Sequence, residues 1–198
     1  IEDITKYENA NQEIKLLVYN GMLCNDTKIS DDGELKGDPT ETALVDVALK
    51  LGFTKNIYDD MPRVDEIPFD SDRKLMTTVH KVNNKYIVFT KGGIDELLSI
   101  CNSYILNGEQ RTDLQNYRNR ITEINETMAK DALRVLGFAY KELDYKPSIG
   151  ELENNLIFVG MYGMIDPPRE EAKLAVEKCK SAGIKTVMIT GDHKITAT

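Results

Sequence analysis

The sequence predicts an α+β domain, in which a central antiparallel sheet is flanked by helices, followed by a partial α/β segment. Apolar residues recur at helical spacing near 9–23, 38–52 and 112–132. Runs typical of strands lie between these helices, and two of them flank Asn83-Asn84, a dipeptide suited to a hairpin turn. Near residue 166 the pattern changes to helix, glycine and strand, which is typical of a parallel α/β unit.

The composition is that of a globular domain, with 41% hydrophobic and 29% charged residues among 198. A formal net charge of −8 argues against a nucleic-acid partner, because an extended phosphate surface requires a basic excess. The three cysteines and two histidines have no metal or disulfide spacing, so we expect reduced thiols and no metal site of their own. No apolar run of about 18 residues is present. We therefore expect this segment to be soluble, and we also expect it to be monomeric.

The helix predicted over 38–52 has a full set of signals. Asp38 can cap its first turn, Pro39 suits the first helical position, and Gly52 ends it. Glu41 stands three residues after the cap, the position of a capping-box glutamate. Acceptance of a hydrogen bond from an exocyclic amine, such as that of adenine, is the alternative role for this carboxylate.

The stretch from 63 to 91 is predicted to form a β-hairpin, in which segments 73–82 and 85–91 flank the turn. Pairing across its turn puts Lys91 opposite Met76, and hence on the same face as Lys74. Phe69 is expected to begin the strand that contains Lys74. An aromatic ring beside clustered lysines is typical of a nucleotide site, because the ring can stack on a base and ammonium groups neutralise phosphates. Alternatively, Phe69 plugs the end of the sheet and the lysines are solvated.

Further elements complete the prediction. A short helix should follow Gly92 and Gly93, which either let the backbone approach a ligand closely or simply turn a corner. The next elements are the 112–132 helix and a strand over 134–143 that has Arg134, Leu136 and Phe138 on one face. Arg134 is open to two interpretations, a sheet-face ion pair or a phosphate clamp.

The sharpest boundary in the sequence is Asp166-Pro167-Pro168-Arg169, which follows a strand ending near residue 165. Consecutive prolines cannot continue a strand, and Pro168 favours the start of a helix. A further strand is predicted over 184–190. Its carboxyl end carries Thr190, Gly191 and Asp192, and open α/β sheets bind phosphate ligands at such strand ends.

Six stretches together resemble one family. "GDPTETAL", "PFDSDRK", "TKGG", "RVLGFAYKEL", "GMIDPPREE" and "VMITGD" match, in order, the cytosolic segment of P-type cation-transporting ATPases, and the similarity is greatest to the calcium-pump branch. The resemblance covers nearly the whole chain. It implies a nucleotide-binding domain over 1–165, a hinge at 166–169, and part of a haloacid-dehalogenase-like phosphorylation domain over 170–198.

The resemblance also implies roles for individual residues. Phe69 would stack on adenine, Lys74, Lys91 and Gly92 would line the nucleotide pocket, and Glu41 would face the adenine side. Further residues complete the implied set: Arg134 near the phosphates, Leu136 near the base, Asp166, Pro167, Pro168 and Arg169 at the hinge, and Thr190, Gly191 and Asp192 in the phosphate and Mg²⁺ site.

Two stretches depart from the family pattern. Many calcium pumps have "KGAPE" where this chain has "KGGID", which changes the loop after Lys91. Many also have a basic residue in place of Ser71, so a phosphate contact is lost unless Arg73 substitutes for it.

The family forms an aspartyl-phosphate in a "DKTGT" motif, which this sequence lacks. We therefore expect a fragment that binds ATP without hydrolysing it and contains no catalytic residue. Its partners would be ATP, Mg²⁺ and the phosphorylation, actuator and membrane domains of its own pump. The full-length protein is expected in a membrane, the plasma membrane if bacterial, with this domain on the cytoplasmic side.

Two alternatives remain open from the sequence. One is a soluble phosphatase of the haloacid-dehalogenase type, and the other is a stand-alone adenine-nucleotide-binding module. The transported cation is not encoded in these residues, and calcium is the expectation from overall similarity alone.

Overall fold

The sheet at the centre of the molecule has seven strands in the order β3-β4-β5-β8-β9-β6-β7. The structure is a computed structural model that describes residues 10–165 and 170–187. The elements, in chain order, are α1 (Gln12–Leu23), β1 (Lys28–Ile29), β2 (Leu35–Lys36), α2 (Pro39–Lys50), α3 (Ile57–Asp60), β3 (Arg63–Asp70), β4 (Leu75–Val82), β5 (Lys85–Gly92), α4 (Ile94–Ile100), β6 (Cys101–Leu106), β7 (Glu109–Arg111), α5 (Leu114–Lys130), β8 (Arg134–Leu143), α6 (Ile149–Leu152), β9 (Leu156–Met164) and α7 (Glu170–Ser181).

The predicted α+β class is confirmed, but the sheet is mixed rather than antiparallel. Strand β9 lies between β8 and β6, antiparallel to the first and parallel to the second. A parallel pair needs a long crossover. Here the chain between β6 and β9 supplies it, with β7, α5, β8 and α6 in between. Strand alternation within a segment carries no information about such a distant partner.

Helices cover both faces of the sheet. On one face α1 packs against β5, β8 and β9, and α2 packs against α1. Met76 and Phe89 are buried on this face with Leu23 and Cys24. On the other face α4 and α5 enclose a core that contains Leu75. Because side chains alternate along β4, neighbouring residues serve opposite layers of the core.

The predicted hairpin is confirmed in its register. Val82 pairs with Lys85 across the turn, and Met76 pairs with Lys91. Asn83 has a φ of 54°, the left-handed conformation that a two-residue turn requires and that asparagine tolerates.

The prediction that Phe69 begins the strand containing Lys74 is wrong. Phe69 lies near the end of β3, and Lys74 stands in the turn before β4 with a φ of 55°. The Asp70 carboxylate holds this turn by accepting hydrogen bonds from the backbone N–H groups of Asp72 at 3.0 Å and Arg73 at 2.9 Å. Asp and Asn commonly form such local bonds in turns. These hydrogen bonds also hold the pKa of Asp70 below its usual range.

The C-terminal part is described only over 170–187. Helix α7 is formed as expected, but residues 184–187 of the predicted strand are not in a strand, and no described strand pairs with them. An isolated strand leaves its backbone groups without partners, so pairing decides whether it forms. The hinge at 166–169 and the group Thr190, Gly191 and Asp192 lie outside the described residues.

No helix in the described ranges is long and apolar enough to cross a membrane. Cys24, Cys101 and Cys179 are free thiols.

Candidate functional site

The sheet brings three of the predicted site residues onto one face. Lys91 on β5 pairs with Phe138 on β8. Leu136 and Arg134 follow at steps of two residues along β8 and therefore point to the same side. This is the side covered in part by α1 and α2. We define the candidate face as the surface made by Lys91, Leu136 and Arg134. It also includes Phe69 and Lys74, which flank the β3–β4 turn at one end of this surface.

Lys91 is buried in an ion pair that the sequence did not predict. Its ammonium lies 2.6 Å from Glu41 Oε1, and the two side chains are only 7% and 16% exposed. The other Glu41 oxygen accepts a hydrogen bond from the backbone N–H of Asp26 at 3.0 Å. Asp38 caps α2 through the N–H of Thr40 at 2.8 Å. The capping-box interpretation of Glu41 is therefore wrong, because its carboxylate faces the sheet.

Phe69 is exposed over 61% of its surface, so the alternative in which it plugs the end of the sheet is wrong. The ladder between β3 and β4 is irregular at this point. Ile67 pairs with Thr77 and Asp70 pairs with Leu75, which leaves one extra residue on β3. Such bulges turn side chains away from the regular alternation and occur often beside functional sites.

Lys74 lies in the same turn and has its own acidic partner. Its ammonium lies 2.6 Å from Glu96 Oε1 in the first turn of α4. The hydrogen bond from Lys74 lowers the pKa of Glu96, and the same bond raises the pKa of Lys74. Lys74 and Lys91 thus form two separate ion pairs. The predicted cluster of unpaired, mutually repelling lysines on one strand face is not formed, because Lys74 belongs to the turn.

Arg73 points into the protein instead of toward a ligand. One terminal nitrogen donates to the Glu153 carboxylate. The other donates to the backbone oxygens of Pro68 at 2.7 Å and Leu75 at 3.3 Å. Both terminal nitrogens are therefore committed to internal contacts, which does not favour the predicted phosphate contact by Arg73.

Gly92 has a structural requirement that the sequence left open. A Cβ atom at this position would lie far inside van der Waals distance of the Lys74 carbonyl oxygen. That same oxygen accepts a hydrogen bond from the Gly93 N–H at 3.1 Å. The glycine lets the turn before β4 close onto the end of β5, which sets where Lys74 stands.

Arg134 lines a cavity of about 340 Å³ at the start of α2. Its guanidinium donates to the Thr40 hydroxyl at 3.0 Å. Among the described residues Arg134 makes no ion pair, so the sheet-face ion-pair interpretation is not supported. An unpaired cation beside a helix N-terminus suits an anionic ligand. The other lining residues are Asp38, Pro39, Ala43, Met164 and Ile165.

Sequence reasoning missed the acidic partners of the site. Glu96 and Glu153 stand 22 and 80 residues from the cations that they bind. For Glu96 no signal was present, since the departure from "KGAPE" to "KGGID" only exchanges one acidic residue for another at position 95, and Glu96 lies just beyond it. Glu153 lies in an unremarkable polar loop, and only the sheet order brings it to the β3–β4 turn.

Comparison with known proteins shows the family of the chain. A family model described as P-type ATPase, cytoplasmic domain N, matches residues 13–171. The chain is 45% identical over 192 residues to calcium-transporting ATPase 1 of Bacillus cereus, which covers 96% of this chain and 22% of that protein. It is 42% identical over 199 residues to calcium-transporting ATPase 1 of Lactococcus lactis, covering 99% of this chain and 22% of the relative.

A third relative, a cation-transporting ATPase of Synechocystis, is 44% identical over 184 residues, covering 89% of this chain and 20% of that protein. The chain thus spans about a fifth of the length of these curated relatives. The match of the family model to most of the chain, together with relatives above 40% identity, establishes the relationship. The chain belongs to the family of P-type ATPase cytoplasmic N domains.

Proposed function

We propose that this chain binds ATP on the candidate face, with the adenine against Phe69. The observation that carries the proposal is the 61% exposure of the Phe69 ring, which a bulge and a tight turn hold beside Lys74. An exposed phenylalanine is costly in water and is a suitable platform for a base, since each stacked base contributes roughly 1–3 kcal/mol.

The phosphates would extend toward Arg134. Its guanidinium lies at the cavity beside the start of α2, where the helix dipole also favours negative charge. Leu136 lies between Lys91 and Arg134 along the same face and supplies apolar contact for the nucleoside. Met164 and Ile165, at the end of β9, line the same cavity. The proposed hinge at 166–169 follows directly in the chain, so this orientation directs the terminal phosphate toward it.

Lys91 and Lys74 are each paired with a glutamate, so neither offers ATP a free positive charge before the ligand binds. The Lys91 ammonium is buried against Glu41, so its charge is neutralised. The pair therefore offers the ligand hydrogen-bonding groups in fixed positions and not a free positive charge. Lys74 is mostly exposed, and its pair with Glu96 is a surface contact that water and salt screen, so it contributes little to stability. We infer that Lys74 can exchange Glu96 for a phosphate at little cost.

Mg²⁺ would bind together with ATP, coordinated by its phosphates. In the ranges that the structure describes, no three His, Cys, Asp or Glu side chains lie together as metal ligands. Mg²⁺ prefers oxygen ligands and commonly takes only one or two carboxylates besides phosphate and water. The residues expected near it, Thr190, Gly191 and Asp192, lie outside the described part, and their role stays a prediction.

For the whole protein we propose a P-type pump that couples ATP hydrolysis to cation transport through an aspartyl-phosphate formed outside these residues. Two of the relatives above are named calcium-transporting ATPases, which supports calcium as the cation and a membrane location for the pump. This domain would lie on the cytoplasmic side and would work with the phosphorylation, actuator and membrane domains. The relatives' names do not favour the phosphatase or stand-alone alternatives.

A calorimetric titration of the chain with ATP and with GTP tests the proposed binding. We expect selective ATP binding in the micromolar to millimolar range, with no phosphate released on incubation, because the chain lacks the "DKTGT" motif. Leu106→Ala serves as the control, since this exposed apolar residue lies on β6, away from the candidate face. Absence of ATP binding, or equal binding of GTP, would contradict the proposal.

A further inference from the structure

Arg73 and Glu153 form a partly buried pair behind the turn that carries Phe69 and Lys74. Their side chains are only 32% and 17% exposed. Through its second nitrogen Arg73 also binds the carbonyls of Pro68 and Leu75, which stand on either side of the turn. One guanidinium therefore ties the end of β3, the start of β4 and the loop before β9 together.

Glu153 is held on the face of the sheet opposite to Lys91. Its carboxylate accepts a hydrogen bond from the Thr77 hydroxyl at 2.8 Å. Thr77 in turn contacts the Thr90 hydroxyl at 3.0 Å. These threonines pair across β4 and β5 one position away from Met76 and Lys91, so their side chains point to the other side of the sheet. The pair thus supports the turn from behind the candidate face.

The segment around Glu153 is itself fixed. The buried ammonium of Lys141 donates to the backbone oxygens of Glu151 and Asn154, the latter at 2.8 Å. At the other end of α6, Ser148 and Glu151 form a reciprocal capping box. Glu153 therefore stands between two anchored backbone groups, and its carboxylate is held in place before any ligand binds.

We propose that Arg73 and Glu153 are positioning residues for the nucleotide site, which act by holding the 70–74 turn so that Phe69 and Lys74 are set for the ligand. This inference rests on the proposed function. Arg73 serves here in a different role from the phosphate contact considered from the sequence. Arg73 reaches the Glu153 carboxylate from one nitrogen and the two carbonyls from the other, whereas all three donors of a lysine share a single nitrogen.

The experiment compares Arg73→Lys and Glu153→Gln with the wild-type chain for binding of ATP by calorimetry and of adenosine by NMR titration. A loosened turn misplaces Phe69, so both variants should weaken the binding of adenosine by about tenfold and that of ATP by at least as much, because Lys74 moves with the turn. A direct phosphate contact would weaken ATP alone. Arg111→Lys is the matched control, because Arg111 pairs with Glu109 on β7, at the opposite edge of the sheet.

A double-variant cycle supplies a second, independent readout. In a Phe69→Leu background the ring no longer stacks, so Arg73→Lys should lose most of its effect on the dissociation constant for ATP. If Arg73 contributed only to overall stability, Arg73→Lys would lower the melting temperature, but its effect on ATP binding would not depend on Phe69. Circular dichroism and thermal unfolding establish that each variant is folded, and the isosteric Glu153→Gln variant retains the test if Arg73→Lys does not fold.

Weakening of adenosine as well as ATP, together with coupling to Phe69, supports the inference. Unchanged binding in both variants, weakening of ATP alone, or additive effects in the cycle would overturn it while leaving ATP binding by the wild type intact. Failure of the wild-type chain to bind ATP would instead refute the proposed function, and the positioning role would fall with it.

Discussion

Phe69 is the residue on which nucleotide binding should depend most. Replacing Phe69 by alanine removes the stacking platform but no polar contact in the protein, because the ring is largely exposed. We expect the dissociation constant for ATP to rise at least about fivefold, which corresponds to the lower end of the stacking free energy of one base. Thermal stability should change little, since no core contact is lost. Calorimetry on folded Phe69→Ala tests this, and an unchanged dissociation constant would refute adenine stacking.

Removing one partner of the buried pair of Lys91 and Glu41 should destabilise the domain strongly. Glu41→Ala leaves the Lys91 ammonium buried without its partner and also removes the acceptor for the Asp26 N–H. Breaking a buried ion pair in this way typically costs about 3–5 kcal/mol. Urea unfolding measures the loss. Glu109→Ala, in the exposed pair with Arg111, is the control and should cost less than about 1 kcal/mol.

His80 should make the stability of the domain depend on pH. Burial lowers the pKa of this imidazole to about 4, and its ring nitrogens lie 2.8 Å from the Met61 oxygen and 2.9 Å from the Thr78 hydroxyl. In the unfolded chain the pKa returns to about 6.5. Between these values the unfolded state binds more protons, so the free energy of unfolding rises with pH over this window and falls as the pH drops.

The size of this effect is roughly 3 kcal/mol between pH 7 and pH 4. Urea unfolding of wild type and His80→Gln at a series of pH values measures it. The variant should lose the part of the pH slope between about 4 and 6.5, even though it is less stable at pH 7. The same slope in both proteins would show that other groups dominate.

At the scale of elements, the end of β5 and the turn before β4 depend on Gly92. Gly92→Ala should cost about 1–3 kcal/mol, because the new methyl group meets the Lys74 carbonyl, a backbone atom that cannot rotate away. Gly150→Ala is a matched control, since nothing lies within 4 Å of a Cβ at that position. Thermal unfolding compares the two. Equal stability of both variants would mean that the turn can shift freely.

The elements that the sequence predicted well are those specified by local signals. The cap at Asp38, the Asn83 turn and the alternation through 134–143 determine α2, the β4–β5 hairpin and β8 within their own segments. Strand β3 was missed because charged residues interrupt its alternation, and the parallel pairing of β6 with β9 depends on residues far apart in the chain.

The residues of the candidate site also fall into a group that local sequence predicts and a group that it does not. Phe69 and Lys91 stand in recognisable stretches, and the residues that carry the resemblance include them. Their supports were not predictable, because Glu96 reaches Lys74 and Glu153 reaches Arg73 only after the sheet has assembled. Sequence alternation even suggested the wrong neighbour for Lys74, since it assumed a strand where Asp70 stabilises a turn.

At the scale of the whole molecule, the net charge of −8 repels ATP. Binding must therefore depend on the local arrangement of Phe69, Lys74 and Arg134, and the affinity of this piece should be modest. The division into a nucleotide domain over 1–165, a hinge at 166–169 and a segment over 170–198 stays a prediction. In the proposed pump, closure about the predicted hinge would deliver the terminal phosphate to the aspartate, so that positioning and electrostatics would provide the catalysis.

The most direct test of the central claim is an NMR titration of isotopically labelled chain with ATP, which maps the amides that respond. We expect the largest shift changes at residues 69–74, at the end of β5 around Lys91, and at the start of β8 from Arg134 to Leu136, while β7 at the opposite edge of the sheet stays unchanged. Shift changes centred elsewhere, or none at millimolar ATP, would contradict the claim that this face is the nucleotide site.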